Sequence, residues 1–224
     1  MVKKKIVSIV PARGGSKGLL GKNIKLLAGK PMIAYTIESS KKSKYISETY
    51  VSTDDMEIAE ISVKYGAKII KRPPELATDT AKMQDTIKHA LNAIGSEVDF
   101  IVLLQPTSPL RTVNTINSAI RMFIDNAKDY DSLMPISLLN KKTGRIRGKY
   151  YVPYNKEEVH RQDLENGYYE CGAVFVYKPE MIKSKNMYGK RILPFIIESA
   201  IESLDIDDLE DFQMAEALME KKNG

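Results

Sequence analysis

Arg13, Lys17 and Lys22 stand among Gly14, Gly15, Gly18 and Gly21, directly after the apolar run from Ile6 to Val10. Glycines leave backbone N–H groups within reach of a ligand, and cations beside them can close around an anion, so this stretch is a candidate polyphosphate loop. Far along the chain, Ser203-Leu204-Asp205-Ile206-Asp207 places two carboxylates two residues apart. In extended chain such residues share a face, so both acids can meet one hard cation while Leu204 and Ile206 turn to the core. Magnesium suits that arrangement, because it takes oxygen ligands and keeps waters while binding substrate phosphates.

Common nucleotide loops fit poorly. The pattern G-x-x-x-x-G-K-[ST] fails twice, with Ser16 where its first Gly belongs and Asn23 where its Ser/Thr belongs. No G-x-G-x-x-G can be drawn through the four glycines either, which counts against a dinucleotide-binding dehydrogenase. The plainer rival for the loop is a glycine turn with solvated lysines. The rival for the acidic segment is a helix cap. Asp207 with Glu210 fits a capping box, and Asp208 and Asp211 suit the positive end of a helix, but capping leaves Asp205 unexplained.

Three further stretches carry polar chemistry. Arg72-Pro73-Pro74-Glu75-Leu76-Ala77-Thr78-Asp79 is a proline-stiffened loop, placed either to close over a ligand or to serve a purely structural role. Gln105-Pro106-Thr107-Ser108-Pro109-Leu110-Arg111 sets an amide and two hydroxyls between prolines, which pre-orders them to read a polar substrate such as a sugar, with Thr112 capping the next helix. Ser52-Thr53-Asp54 reads as a cap, since Asp54 and Glu57 make a capping box.

Strand-like and helical runs alternate through 5–10, 31–41, 48–52, 55–65, 68–70, 82–94, 100–104, 113–126 and 132–136, the pattern of a parallel sheet covered by helices. Residues 100–104 are continuously apolar, as in a central strand buried on both faces. The glycine loop, Ser52-Thr53-Asp54 and the Gln105 loop each follow a strand, and ligands of open α/β sheets gather at those carboxyl ends. From about residue 137 the texture turns to Lys, Arg, Tyr, Asn and Gly with short alternating pieces, which predicts hairpin arms over 137–170, either packed on a second subunit or a surface excursion. A core strand returns at 172–177. A short strand at 201–206 and a helix over 209–219 are expected to end the fold.

The bulk numbers agree with one self-supporting domain of 224 residues. A lone Cys171 forbids an intramolecular disulfide and offers no zinc spacing, and no stretch has the length of a membrane span, so a cytoplasmic protein is expected. Net charge is +5 but its lysines and arginines are scattered, which points to small anionic substrates and not to nucleic acid. His89 and His160 are too far apart for a metal pair, and histidine acid–base catalysis is not expected.

Taken in order, PARGGSKG with Lys22-Asn23, then STD, RPPELATDTA, QPTSPLR, RQDL and DIDDLEDF resemble the CMP-sialic acid synthetases, or acylneuraminate cytidylyltransferases, over nearly the whole chain. The resemblance implies a Rossmann-like nucleotidyltransferase α/β fold, a three-layer sandwich on a mostly parallel sheet, as a single domain over 1–224 with a protruding β-rich dimerisation arm at 137–170. It implies a homodimer that joins CTP to a nine-carbon 2-keto acid sugar with Mg²⁺, or Mn²⁺ in its place. By the same resemblance, Arg13 and Lys22 clamp the triphosphate, and Ala12, Gly14, Gly15 and Ser16 supply nucleotide contacts. Asn23 and Arg72 read cytidine. Gln105, with Thr107 and Ser108, contacts the sugar; Asp205 and Asp207 hold the metal. Arg161, with Gln162 beside it, meets the sugar carboxylate, and Arg13, Lys22, Arg161 and Asp207 form the catalytic set. Cys171-Gly172-Ala173 departs from the Asn-Gly-Ala of many members, and Tyr168-Tyr169-Glu170 is also unlike them, which implies an altered sugar pocket such as one for legionaminic or pseudaminic acid. A cytidylyltransferase for the eight-carbon acid sugar of lipopolysaccharide is the nearest rival, and Thr107-Ser108 in place of its carboxylate-bearing segment argues against it. A kinase or ATPase on a non-Walker loop is the more distant one.

Overall fold

The computed structural model describes residues 4–16, 18–95, 97–139, 141, 143–154 and 167–223. Lys17, Arg161 and Gln162 therefore lie outside the described residues, and so does the RQDL motif. The chain begins with β1 (Ile6–Pro11), whose five residues from Ile6 to Val10 are all buried. A small hairpin of β2 (Leu26–Leu27) and β3 (Lys30–Pro31) leads into α1 (Met32–Lys42). Then come β4 (Glu48–Thr53), α2 (Met56–Lys64), β5 (Lys68–Lys71), α3 (Met83–Ile94), β6 (Phe100–Leu103), α4 (Val113–Asn126) and β7 (Ser132–Leu139). The remainder is β8 (Gly144–Arg147), β9 (Tyr150–Pro153), β10 (Gly167–Glu170), β11 (Phe175–Tyr177), α5 (Pro179–Lys183), β12 (Ile192–Ile196) and α6 (Leu209–Asn223).

The main sheet runs β10-β7-β11-β6-β1-β4-β5, with β12 alongside β7. β1 pairs in parallel with both β4 and β6, and β5 extends the parallel half beyond β4. β11 runs antiparallel between β6 and β7, so β7 again points the way β6 does. β12 runs parallel along one edge of β7, while β10 pairs antiparallel with the second half of the other edge, whose first half is held by β11. The sheet is thus mixed and mostly parallel, as expected.

Side-chain alternation places one core on each face. Ile6 and Val10 of β1 meet Ile33 and Ile37 of α1, Ile58 of α2, and Ile116, Ile120 and Phe123 of α4. Ile9 turns the other way, to Ile87, Ala90 and Leu91 of α3 and Ile182 of α5. Phe100 and Phe123 pack edge to face with centroids 5.2 Å apart, one of the contacts that seat α4 on the central strand. A third cluster, Leu27, Met32, Ile206, Phe212 and Ala215, fastens α6 and the segment before it against the start of α1.

Two local expectations need correction. Residues 201–206 form a turn followed by irregular chain, not a strand, because the segment's backbone makes one bond to the sheet region, Ile206 N–H to the Thr107 carbonyl (2.8 Å). The strand that does join the sheet there is β12, whose Pro194 and polar flanks obscure it in the sequence. The stretch 137–170 begins and ends in the main sheet, through β7 and β10, while β8 and β9 pair with each other as a separate hairpin.

Candidate active site

The carboxyl ends of β1, β5 and β6 open on a cavity of about 550 Å³ lined, apart from Met83 of α3, by residues from four separate stretches of sequence. Arg13, Ser16, Gly18, Lys22 and Asn23 come from the glycine loop, Arg72 from the end of β5, Gln105, Pro106 and Thr107 from the loop after β6, and Asp205 and Asp207 from the segment before α6. A larger cavity of about 730 Å³ lies at the opposite, amino ends of β1 and β6, beside Lys5, Leu91 and Asp99. It collects none of the motifs.

The glycine loop is held rigidly from below. The Ala12 N–H donates to the Ser52 carbonyl (3.0 Å), continuing the β1–β4 ladder by one bond, and the Gly14 N–H donates to Asp54 Oδ1 (3.2 Å). These two amides therefore anchor the loop. Asn23 is buried and donates from Nδ2 to the Arg13 carbonyl (3.0 Å), closing the loop on itself. The expected cap at Asp54 is shifted by one: Asp55 caps α2 by accepting from the Ile58 N–H (2.9 Å), which leaves Asp54 to hold Gly14.

Lys22 bridges the first motif to the last. Its Nζ donates to the Ile206 carbonyl (2.6 Å) and lies 3.5 Å from Asp207 Oδ1. Gly18 lets the two stretches touch, because a Cβ there would fall 2.4 Å from the Asp207 carbonyl oxygen. Arg13 faces the proline loop instead, pairing with Asp79 (2.8 Å) and reaching the Ala77 carbonyl (3.4 Å). Arg72 is buried, donating from Nε to Ser52 Oγ (3.2 Å) and from Nη2 to the Ser52 carbonyl (2.7 Å). Burial pulls its guanidinium down to about 10, with Asp54 opposing and Arg13 adding to the fall, so it stays charged at neutral pH. Arg13, Lys22 and Arg72 thus make a cationic wall.

The acids line the same cavity. Asp205 Oδ1 is buried without a hydrogen-bond partner, and burial holds this carboxyl above the usual carboxylate range. A desolvated, unpartnered carboxylate oxygen beside a second carboxylate is what a divalent cation would complete, with waters and phosphate oxygens filling its other positions. Asp207 is exposed, and its carboxylate is not used for capping. The capping box of α6 is Asp208 with Asp211, one residue beyond the rival Asp207–Glu210 pair: Asp211 N–H donates to Asp208 Oδ1 (3.0 Å), and Asp208 N–H to Asp211 Oδ2 (3.4 Å). Among the described residues there is no cluster of three His, Cys, Asp or Glu side chains fit for a protein-only metal cage.

Gln105 and Ser108 lie against Gly172, where a Cβ would meet Gln105 Oε1 at 2.3 Å and Ser108 Oγ at 2.7 Å. Ser108 is buried and does not line the open cavity, whereas Gln105 and Thr107 do. Burial pushes the neighbouring Cys171 thiol up, which disfavours the thiolate and any nucleophilic role. His89 is half-buried on α3 with an unpartnered Nδ1, away from the cavity lining. Sequence reasoning missed Arg111, a fully buried guanidinium behind the Gln105 loop, and Asp54 as the loop's anchor.

Comparison with known proteins completes the picture. The cytidylyltransferase family model matches residues 7–223. This chain belongs to the cytidylyltransferase family. It is 36% identical to an N-acylneuraminate cytidylyltransferase of Escherichia coli, covering 99% of this chain but 54% of that protein, so it spans about half the length of that relative. It is also 36% identical to the CMP-N,N'-diacetyllegionaminic acid synthase of Legionella pneumophila over 96% of this chain and 97% of that one. A pseudaminic acid cytidylyltransferase of Campylobacter jejuni is 30% identical over 96% of both. Among solved structures, CMP:2-keto-3-deoxy-manno-octonic acid synthetase complexed with CTP superposes with a TM-score of 0.76 at 18% identity, covering 98% of this chain and all of that one, which establishes the shared fold of this cytidylyltransferase.

Proposed function

We propose that this cytidylyltransferase joins CMP from CTP to the anomeric hydroxyl of a nine-carbon 2-keto acid sugar, releasing pyrophosphate. One observation carries the reading: a single cavity is lined by the cations Arg13, Lys22 and Arg72, the acids Asp205 and Asp207, and the polar Gln105 and Thr107. Cations on the triphosphate oxygens neutralise charge as the α-phosphorus is attacked, and positioning does much of the rest. Asp205 and Asp207 would hold Mg²⁺, or Mn²⁺ in its place, which supplies Lewis-acid charge neutralisation at the phosphates when bound. Asn23 and Arg72 would read the base, and Gln105 and Thr107 the acid sugar, with Ser108 buried next to the same loop. Arg161 and Gln162, outside the described residues, are assigned by sequence to the sugar carboxylate.

The chain is read as a cytoplasmic homodimer. Ile146 and Tyr150, 78% and 77% exposed on the β8–β9 hairpin, support that arm as the surface a second copy covers. Among the described residues no helix is long and apolar enough to cross a membrane. The names of the relatives support a nonulosonic acid as co-substrate. The test is pyrophosphate release from CTP with a panel of N-acetylneuraminic, legionaminic and pseudaminic acids and the eight-carbon acid, with ATP as control. Release with CTP and at least one nine-carbon acid, and none with ATP, is expected. Release with the eight-carbon acid alone, or nucleotide hydrolysis without an acid, would overturn the reading.

A further inference from the structure

Arg111 ends the loop that carries Gln105, and it is 3% exposed. Its Nη1 donates to the Ala173 carbonyl (2.6 Å), and its Nη2 to the Gln105 carbonyl (2.6 Å) and to Thr36 Oγ1 on α1. Every one of these acceptors is neutral. Among the described residues no carboxylate forms an ion pair with it, and its Nε is buried without a partner. A cation buried in that way is costly, and an apolar side chain of similar volume would fill the space without the loss of hydration. Stability alone gives no reason for an arginine here.

Geometry gives one. The two carbonyls gripped by the guanidinium fork belong to Gln105 and to the residue after Gly172, and these flank one tight cluster. Gly172 is pressed so closely that a Cβ would lie 2.3 Å from Gln105 Oε1 and 3.3 Å from Asp205 Oδ1. The Thr107 carbonyl of the same loop receives the Ile206 N–H, which sets Asp205 and Asp207 to either side of that bond. A planar fork with fixed donor directions holds two carbonyls at a set spacing, which an ammonium group cannot do. Asp205 is also the carboxylate whose charge acts on Arg111 across the cluster, so the cation favours the ionised acid from behind.

We propose that Arg111 is a positioning residue of the transfer site, tying the Gln105 loop to the Gly172 strand entry so that the sugar-facing amide and the Asp205 carboxylate share one fixed geometry. It touches no substrate itself. This inference rests on the roles given above to Gln105 and Asp205.

The test compares the wild-type protein with Arg111→Met and Arg111→Lys. Mn²⁺ binding in the presence of CTP is read by electron paramagnetic resonance without acid sugar, and steady-state kinetics are read with it. Arg111→Met is expected to bind Mn²⁺ about tenfold more weakly and to lose about 10- to 100-fold in kcat, the scale seen when groups that orient a metal site are removed. KM for CTP should stay within about threefold, because Arg13, Lys22 and Arg72 are untouched. Arg111→Lys keeps the charge without the fork, so Mn²⁺ affinity and kcat should both stay lowered. Wild-type Mn²⁺ affinity and kcat in a folded Arg111→Met would overturn the proposal, as would full recovery of both constants in Arg111→Lys. Failure of both variants to fold, by circular dichroism, would make Arg111 a stability residue and overturn it as well. A wild-type protein that binds Mn²⁺ with CTP yet releases no pyrophosphate with any acid would sink the proposed reaction, not this role.

Discussion

Asp205 is held above the usual carboxylate range mainly because burial disfavours its charge, and the nearby Asp207 charge adds to the rise; Thr107, Lys22 and Arg111 oppose it. A carboxyl whose folded-state value is raised binds its proton more tightly folded than unfolded. Its favourable contribution is therefore complete below the unfolded value of about 3.9 and is lost as pH rises through the folded value. At neutral pH the ionised acid costs stability, and its retention points to use in binding. Asp205→Asn should accordingly raise the melting temperature at pH 7.5 while abolishing turnover, and the stability gain should fade below about pH 4. Equal or lower melting temperature at pH 7.5, measured by calorimetry, would contradict this. That Asp205 and Asp207 would line one cavity was legible from the two-residue spacing. Arg111 was not, because an arginine in a proline-containing loop reads as solvated until α1 and the segments next to β6 and β11 are seen to converge around it.

At the scale of elements, two helix starts share one ambiguity of register, and it has one cause. Asp54 with Glu57 and Asp207 with Glu210 satisfy the capping pattern in sequence, yet the caps are Asp55 and Asp208. Adjacent aspartates leave the register of the first turn undecided, and the backbone break that decides it is set by packing; Ile206 and Phe212 seat α6 one residue later. The shift matters chemically, since it releases Asp54 for the glycine loop and Asp207 for the cavity. It also yields a test that separates the two roles. Asp208→Ala should lower stability by about 1 kcal/mol, the usual worth of a cap, with kcat within about twofold. Asp207→Asn should do the reverse, leaving the denaturation midpoint nearly unchanged and lowering kcat by about 10- to 100-fold. Denaturant titrations with matched kinetics decide between them, and a kinetic loss in Asp208→Ala alone would return Asp207 to the cap.

Across the whole molecule, the parallel half was readable because β1 and β6 are buried on both faces, and β6 is apolar throughout while β1 is apolar but for Ser8 from Ile6 to Val10. The antiparallel half was less so: β12 alternates exposed and buried residues around Pro194, and the segment before α6 takes its place from Thr107 and the Leu27 cluster instead of from a ladder. The account's central claim is that the first loop and the last acidic segment, 184 residues apart at the Lys22–Ile206 bond, enclose one metal-bound triphosphate. A crystal grown with Mn²⁺ and CTP tests it most directly, through the anomalous signal of the metal. The account predicts one Mn²⁺ peak about 2 Å from carboxylate oxygens of Asp205 and Asp207, with CTP phosphate oxygens completing its shell and contacting Arg13 or Lys22. A nucleotide-bound metal that touches neither aspartate would contradict it.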